Sequence, residues 1–119
     1  MLITSPGMTA GFGIVMFFGI AYIVGSGLMG KQAKGHKIIG LIVLVMAVIH
    51  AVSGWVMQYE LPALIAGTLM VLLFLINVLS GMNILKLPLK VHRTIGILVL
   101  VMALLHAGAG VYENIITKL

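Results

Sequence analysis

The fold is decided by a stretch of sequence that occurs twice. Residues 36–54 read HKIIGLIVLVMAVIHAVSG, and residues 92–110 read HRTIGILVLVMALLHAGAG. The second segment begins 56 positions after the first, and 11 of the 19 aligned positions are identical, among them both histidines. Each segment is almost wholly apolar and has the length of a membrane-spanning helix, roughly 20 residues. We therefore predict two equivalent transmembrane helices within a duplicated unit.

Two further apolar runs bring the predicted number of helices to four. The predicted spans are about 8–29, 36–57, 62–85 and 91–116. The connections between them are short, which favours antiparallel neighbours, so we predict an all-α membrane protein that forms an up-down four-transmembrane-helix bundle. The same offset relates Pro6 to Pro62, each in the first turn of a predicted helix, where proline is tolerated. The chain is thus one domain, residues 1–119, built from two repeated helical hairpins at about 5–60 and 61–116.

The composition agrees with a membrane location. Hydrophobic residues make up 62% of the chain and charged residues 8%, whereas soluble domains carry about 25% charged residues. These values exclude a soluble or a disordered chain. The absence of cysteine excludes disulfides, cysteine-ligated metal centres and thioether-attached haem. Although the net charge is +5, the basic residues lie in two short loops, so we expect no nucleic-acid partner.

The positions of the basic residues predict the orientation in the membrane. Six of the seven lie in or beside the first and third loops: Lys31, Lys34, Lys37, Lys86, Lys90 and Arg93. The middle loop has no basic residue and carries Glu60. Because cytoplasmic loops are enriched in lysine and arginine, we expect both basic loops in the cytoplasm and both termini outside it. The expected location is the inner membrane of a prokaryote.

All four histidines of the chain belong to the repeat. His36 and His50 are 14 residues apart on the second helix, as are His92 and His106 on the fourth. In an α-helix, 14 residues return to within roughly 40° of the same face and rise about 21 Å. The second and fourth helices run in the same direction. We therefore expect His36 level with His92, and His50 level with His106.

Two imidazoles at one level suit one particular kind of ligand. The second and fourth helices are diagonal partners, at a distance of roughly 11–14 Å when neighbours are 8–10 Å apart. Imidazoles cannot hydrogen-bond directly across that gap, but they can take the two axial positions of a flat haem iron. A bare metal ion would need more ligands, and neither Glu60 nor Glu113 is level with a midplane histidine. We therefore predict two non-covalent b-type haems, each ligated by one histidine pair.

Several other residues are candidates for haem contacts. Glycines recur at the same 14-residue spacing on the first helix, Gly11 and Gly25, and on the third, Gly67 and Gly81. Glycine lets a porphyrin edge approach the backbone closely. We expect Gly25 level with His36 and Gly11 level with His50, with Gly81 and Gly67 as their equivalents. Met46 and Met102 are expected to pack on a macrocycle, and Lys37 and Arg93 to meet the haem propionates.

This pattern resembles the N-terminal four-helix core of cytochrome b from bc-type quinol-oxidising complexes. The resemblance rests on His36/His50 and His92/His106 on the second and fourth helices and on the paired glycines on the first and third. It covers nearly the whole chain and implies two stacked b haems that carry electrons across the membrane. The later helices that complete the quinol-oxidation site of that family lie outside the resemblance. By charge, the second helix also begins on the opposite side of the membrane, so quinol oxidation is not implied.

The expected function is therefore electron transfer across the bilayer, within a larger oxidoreductase or in exchange with quinone. Membrane cytochrome b subunits that anchor dehydrogenases or hydrogenases are further possible relatives. The sequence contains no nucleophile, general base or nucleotide motif that would indicate catalysis by this chain. Two alternatives stay open at this point. One is a proton or metal transporter with a histidine relay, and the other is a membrane anchor for a soluble enzyme.

Overall fold

Four long α-helices make up the described part of the fold. A computed structural model describes residues 6–29, 34–58 and 60–114, and no strand occurs in these ranges. The helices are α1 (Pro6–Leu28), α2 (Lys34–Val56), α3 (Leu61–Gly81) and α4 (Leu89–Asn114). With 21 to 26 residues each, they are about 31–39 Å long, which is enough to cross a hydrocarbon core of about 30 Å. The predicted fold class is confirmed.

The helices form a closed ring in chain order. α1 packs against α2 and α4, and α3 packs against the same two helices, so that α2 and α4 lie diagonally opposite each other. The bundle measures 43 × 25 × 23 Å. Each helix contains an apolar segment that is long enough to span a membrane. The links from α1 to α2 and from α3 to α4 lie at one end, called the basic end below, and the link from α2 to α3 lies at the other, called the Trp55 end.

The helix ends follow from local sequence. Pro6 is the first residue of α1 and Pro62 lies in the first turn of α3, as predicted. α3 ends at Gly81 rather than at the predicted residue 85, because Asn83 adopts a left-handed backbone with φ of 60°. The amides of Asn83 and Ile84 then donate to the Ser80 and Leu79 carbonyls at 3.1 and 3.0 Å, which closes the helix. The predicted end of the fourth helix at residue 116 lies outside the described residues.

The interior of the bundle is mainly apolar and draws on all four helices. Its buried apolar side chains are Met16, Ile20, Ile23, Val43, Ala47, Phe74, Val99 and Ala103, and the buried polar side chains are Ser53, Asn77 and Ser80. Val43 and Val99, and likewise Ala47 and Ala103, are related by the 56-residue repeat. Many other large apolar side chains point outward, for example Phe18 and Leu105, which are 67% and 68% exposed. An outer surface of this kind fits a lipid environment.

Gly19 sets the distance between α1 and α2. A Cβ atom at Gly19 would lie 2.6 Å from Cγ2 of the buried Val43. We expect Gly19→Ala to destabilise the bundle, because overpacking costs about 1–3 kcal/mol and outweighs the gain in helix propensity of up to about 1 kcal/mol. Gly11→Ala is the matched control, since nothing lies within 4 Å of its Cβ position. Thermal unfolding of both variants in detergent measures the difference, and equal midpoints would contradict this packing.

Candidate functional site

The histidines form two pairs inside the bundle, one near each end. The ring centroids of His36 and His92 are 6.4 Å apart at the basic end, and those of His50 and His106 are 6.3 Å apart at the Trp55 end. All four side chains are half-buried. The rings therefore point from the diagonal helices α2 and α4 toward each other. His36 lies level with His92, and His50 with His106, as the spacing predicts.

The distance between the rings can be compared with that of a shared metal. A metal–imidazole bond is about 2.0–2.1 Å and a ring nitrogen lies about 1.1 Å from the ring centre, so two imidazoles on opposite sides of one metal have centroids about 6.2–6.4 Å apart. The centroid distances of both histidine pairs, 6.4 and 6.3 Å, agree with this value. They also lie within the range of edge-to-face ring contacts, about 4.5–7 Å, and the rings are steeply inclined at 63° and 88°. The spacing of each imidazole pair is therefore compatible with axial ligation of one metal, and it is equally compatible with direct contact between the two rings.

Glycines on the neighbouring helices lie against all four rings. On α3, the Cβ position of Gly81 is 3.2 Å from Cε1 of His92, and that of Gly67 is 3.8 Å from Cε1 of His106. On α1, the glycines that lie against the rings are Gly27, at 3.1 Å from Cε1 of His36, and Gly13, at 3.8 Å from Cε1 of His50. Each ring edge therefore occupies space that a side chain on the neighbouring helix would fill.

The glycines of α1 that contact the histidine rings are not the pair expected from the 56-residue repeat. Gly11 and Gly25 have open space around their Cβ positions and do not contact the rings. The ring-facing glycines of α1 and α3 are 54 residues apart in the chain, as in Gly27 and Gly81. The histidines of α2 and α4 are 56 residues apart, as in His36 and His92. The link between α3 and α4 is two residues longer than the link between α1 and α2, because α3 ends at Gly81, just before the left-handed Asn83. The sequence contained the signal, because Gly13 and Gly27 are also 14 residues apart. The prediction that Gly11 and Gly25 lie at a cofactor edge is not tested by these contacts, and Gly13 and Gly27 are the competing pair.

His36 has a hydrogen-bond partner on α1. The Oγ atom of Ser26 lies 3.2 Å from Nδ1 of His36, and the same hydroxyl donates to the Ile23 carbonyl at 3.1 Å. Sequence reasoning missed Ser26, because the link between two helices hides which residue of one faces which residue of the other. Ser26 directly precedes Gly27, so one turn of α1 supplies both contacts to the His36 ring.

Other buried polar atoms at the basic end have no such partner. Within the described residues, Nδ1 of His92, Oγ of Ser80 and Oδ1 of Asn77 are buried and form no hydrogen bond. At the Trp55 end the same holds for Nδ1 of His50. A buried polar atom without a partner costs about 1–3 kcal/mol, so these atoms mark where the interior favours an additional donor, acceptor or metal.

The remaining predicted site residues lie around the pairs. Lys37 and Arg93 follow the basic-end histidines in the chain and are exposed to solvent. Met46 is half-buried, packs against the apolar core and lines an outward groove of about 280 Å³ with Leu41, Ile42 and Val45. Met102 is half-buried as well. Nothing in these positions tests a contact with a cofactor.

Each level offers two protein ligands. Among the described residues, no group of three or more histidine, cysteine, aspartate or glutamate side chains comes together. The histidine pairs can therefore supply two axial nitrogens to a metal whose other positions come from a non-protein ligand. No protein-family model, no curated protein and no solved structure matches this chain.

Proposed function

We propose that this chain is a b-type membrane cytochrome that holds two haems and carries electrons across the bilayer. The observation that carries the proposal is the pair of inward-facing imidazole couples, with centroids 6.4 and 6.3 Å apart, near opposite ends of one bundle. By helix rise, the two levels are separated by about 21 Å, which is most of the hydrocarbon core. Haem iron supplies one-electron redox chemistry when bound.

The residues divide into ligands and supports. His36 and His92 would hold the basic-end haem, and His50 and His106 the Trp55-end haem. A macrocycle is wider than the bundle interior, so a bound haem would have to extend between neighbouring helices. The glycines of α1 and α3 that lie against the imidazole rings leave the helix backbone open to such a close approach.

Charged and soft side chains would complete the sites. Lys37 and Arg93 are exposed beside the basic-end histidines, where cationic groups can bind propionate carboxylates. Met46 and Met102 are one turn before the Trp55-end histidines and adapt their shape readily to an irregular apolar surface. We assign both as packing residues rather than iron ligands.

A transporter with a histidine relay is the less favoured candidate. Between the two levels, α2 and α4 contribute the buried apolar side chains Val43, Ala47, Val99 and Ala103. α1 and α3 add the buried apolar side chains Met16, Ile20, Ile23 and Phe74, whereas Asn77 of α3 is a buried polar side chain one turn inward from the His92 level. A proton relay needs polar groups or water at short intervals, whereas electron transfer between conjugated rings does not. Among the described residues, no third histidine, cysteine, aspartate or glutamate joins the two imidazoles at either level, as an isolated ion would be expected to require.

The setting of the protein follows from the same reasoning. Four helices long and apolar enough to cross a membrane make the bilayer the immediate partner. We propose that the membrane is a prokaryotic inner membrane, with the two basic loops in the cytoplasm and both termini outside it. Electrons would be exchanged with other subunits of an oxidoreductase or with quinone, since the chain carries no catalytic motif of its own.

The haem content of the purified protein tests the proposal. We expect two non-covalent haems per chain, with a Soret band and α-bands that sharpen on reduction with dithionite. Acidic organic solvent should extract both haems completely, because the chain has no cysteine for thioether bonds. The measurement is the ratio of extracted haem to protein after expression with ample haem supply. A folded, monodisperse and colourless preparation would leave the membrane-anchor interpretation in its place.

A further inference from the structure

Ser26 occupies a distinctive position between two groups of the basic end. Its hydroxyl donates to the Ile23 carbonyl at 3.1 Å and lies 3.2 Å from Nδ1 of His36. A serine hydroxyl has one proton and two lone pairs. When its proton is directed at the carbonyl, the hydroxyl accepts from Nδ1 of His36. That arrangement places the proton on Nδ1 and leaves the lone pair on Nε2.

The second hairpin carries the same elements in a different hydrogen-bonding state. With the 54-residue offset between α1 and α3, Ser26 and Gly27 correspond to Ser80 and Gly81. Gly81 lies against the His92 ring as Gly27 lies against His36. Oγ of Ser80 and Nδ1 of His92 are both buried and form no hydrogen bond of good geometry within the described part of the chain, although the backbone of Asn77 also interacts with the His92 ring. Because the adjacent Gly81 contacts the His92 ring, we expect a different rotamer of Ser80 to direct its hydroxyl toward Nδ1 of His92, as Ser26 does toward His36.

Among the described residues of the Trp55 end, no hydroxyl occupies the equivalent position before a ring-facing glycine. The residues that precede the ring-facing Gly13 and Gly67 are Phe12 and Ala66, neither of which has a hydroxyl. Nδ1 of His50 is buried without a hydrogen-bond partner among the described residues. The two histidine levels thus have the same ring spacing but differ in the polar atoms that surround them.

We propose that Ser26 and Ser80 are positioning residues that fix His36 and His92 in the tautomer with a free Nε2, ready to bind a metal. A hydrogen bond to the other ring nitrogen orients an imidazole ligand and raises its basicity. A more basic ligand stabilises oxidised iron and lowers the reduction potential. The tautomer is a property of the protein alone, whereas the effect on potential rests on the proposed function.

The tautomer can be measured without any cofactor. Nitrogen-15 NMR of histidine-labelled apoprotein in detergent, at alkaline pH where imidazole is neutral, distinguishes a proton on Nδ1 from one on Nε2. We expect the wild-type His36 to be protonated on Nδ1. Ser26→Ala should remove this preference and Ser26→Thr, which keeps the hydroxyl, should retain it. Thr94→Val is the control, because Thr94 is an exposed hydroxyl at the same end that bonds the Lys90 carbonyl.

Redox titration of the haem-loaded protein provides the second measurement. In Ser26→Ala and in Ser80→Ala we expect one of two components to shift to higher potential while the other stays in place. A tenfold change in the ratio of oxidised to reduced haem, about 59 mV for one electron, is the expected size. A wild-type His36 protonated on Nε2, or an unchanged tautomer in Ser26→Ala, would overturn the inference. Failure to bind haem would instead overturn the proposed function and leave the tautomer result standing.

Discussion

His50→Ala is expected to halve the haem content, from two haems per chain to one. Its ring and that of His106 are the two imidazoles at the Trp55 end, and one remaining ligand cannot hold the haem as a pair does. His36→Ala should instead remove the basic-end haem, so that its spectrum shows only the Trp55-end haem. The measurement is the haem-to-protein ratio together with the reduced-minus-oxidised spectrum of each variant.

Double variants make the pairing itself testable. His36→Ala combined with His92→Ala removes two ligands of one level, so one haem should remain. His36→Ala combined with His106→Ala removes one ligand from each level, so both haems should be lost. Each double variant deletes two histidines, one on α2 and one on α4, and they differ only in level. Retention of one haem by the second variant and none by the first would refute the pairing.

Much of this arrangement could be predicted because membrane helices leave few alternatives. Apolar runs of about 20 residues with short links determine an up-down bundle, and that topology makes α2 and α4 parallel. Parallel helices with the same internal spacing must place His36 level with His92 and His50 level with His106. The pairing therefore depends only on helix rise and direction, both of which are insensitive to side-chain detail.

The register of α1 could not be derived in the same way. It depends on the link to α2, and both glycine pairs on α1 satisfy the 14-residue spacing equally well. The repeat suggested Gly11 and Gly25, because their offset to Gly67 and Gly81 equals that of the histidines. The left-handed Asn83 shortens α3 and lengthens its link, so the two hairpins are not superimposable at that end. For the same reason, the contact of Ser26 with His36 had no visible sequence signature.

Gly27→Val should remove the basic-end haem while leaving the Trp55-end haem in place. The Cβ position of Gly27 is only 3.1 Å from Cε1 of His36, closer than the 3.5–4.0 Å or so of favourable carbon–carbon contacts. Two further methyl groups on that carbon would displace the ring by several tenths of an ångström. Metal–ligand distances fall within about 0.2 Å of their usual values, so a displaced His36 ring and the His92 ring would no longer both reach one metal. The haem ratio should therefore fall from two toward one, with loss of the same spectral component as in His36→Ala.

Gly25→Val separates this effect from a general disturbance of the helix. The two glycines are two residues apart on α1, but nothing lies within 4 Å of a Cβ at Gly25. Both substitutions replace the least helix-favouring residue apart from proline, so neither should weaken α1 locally. We expect Gly25→Val to keep both haems and Gly27→Val to keep one. The reverse result would mean that a porphyrin edge lies at Gly25, which would restore the register implied by the 56-residue repeat and displace Gly27 from the site.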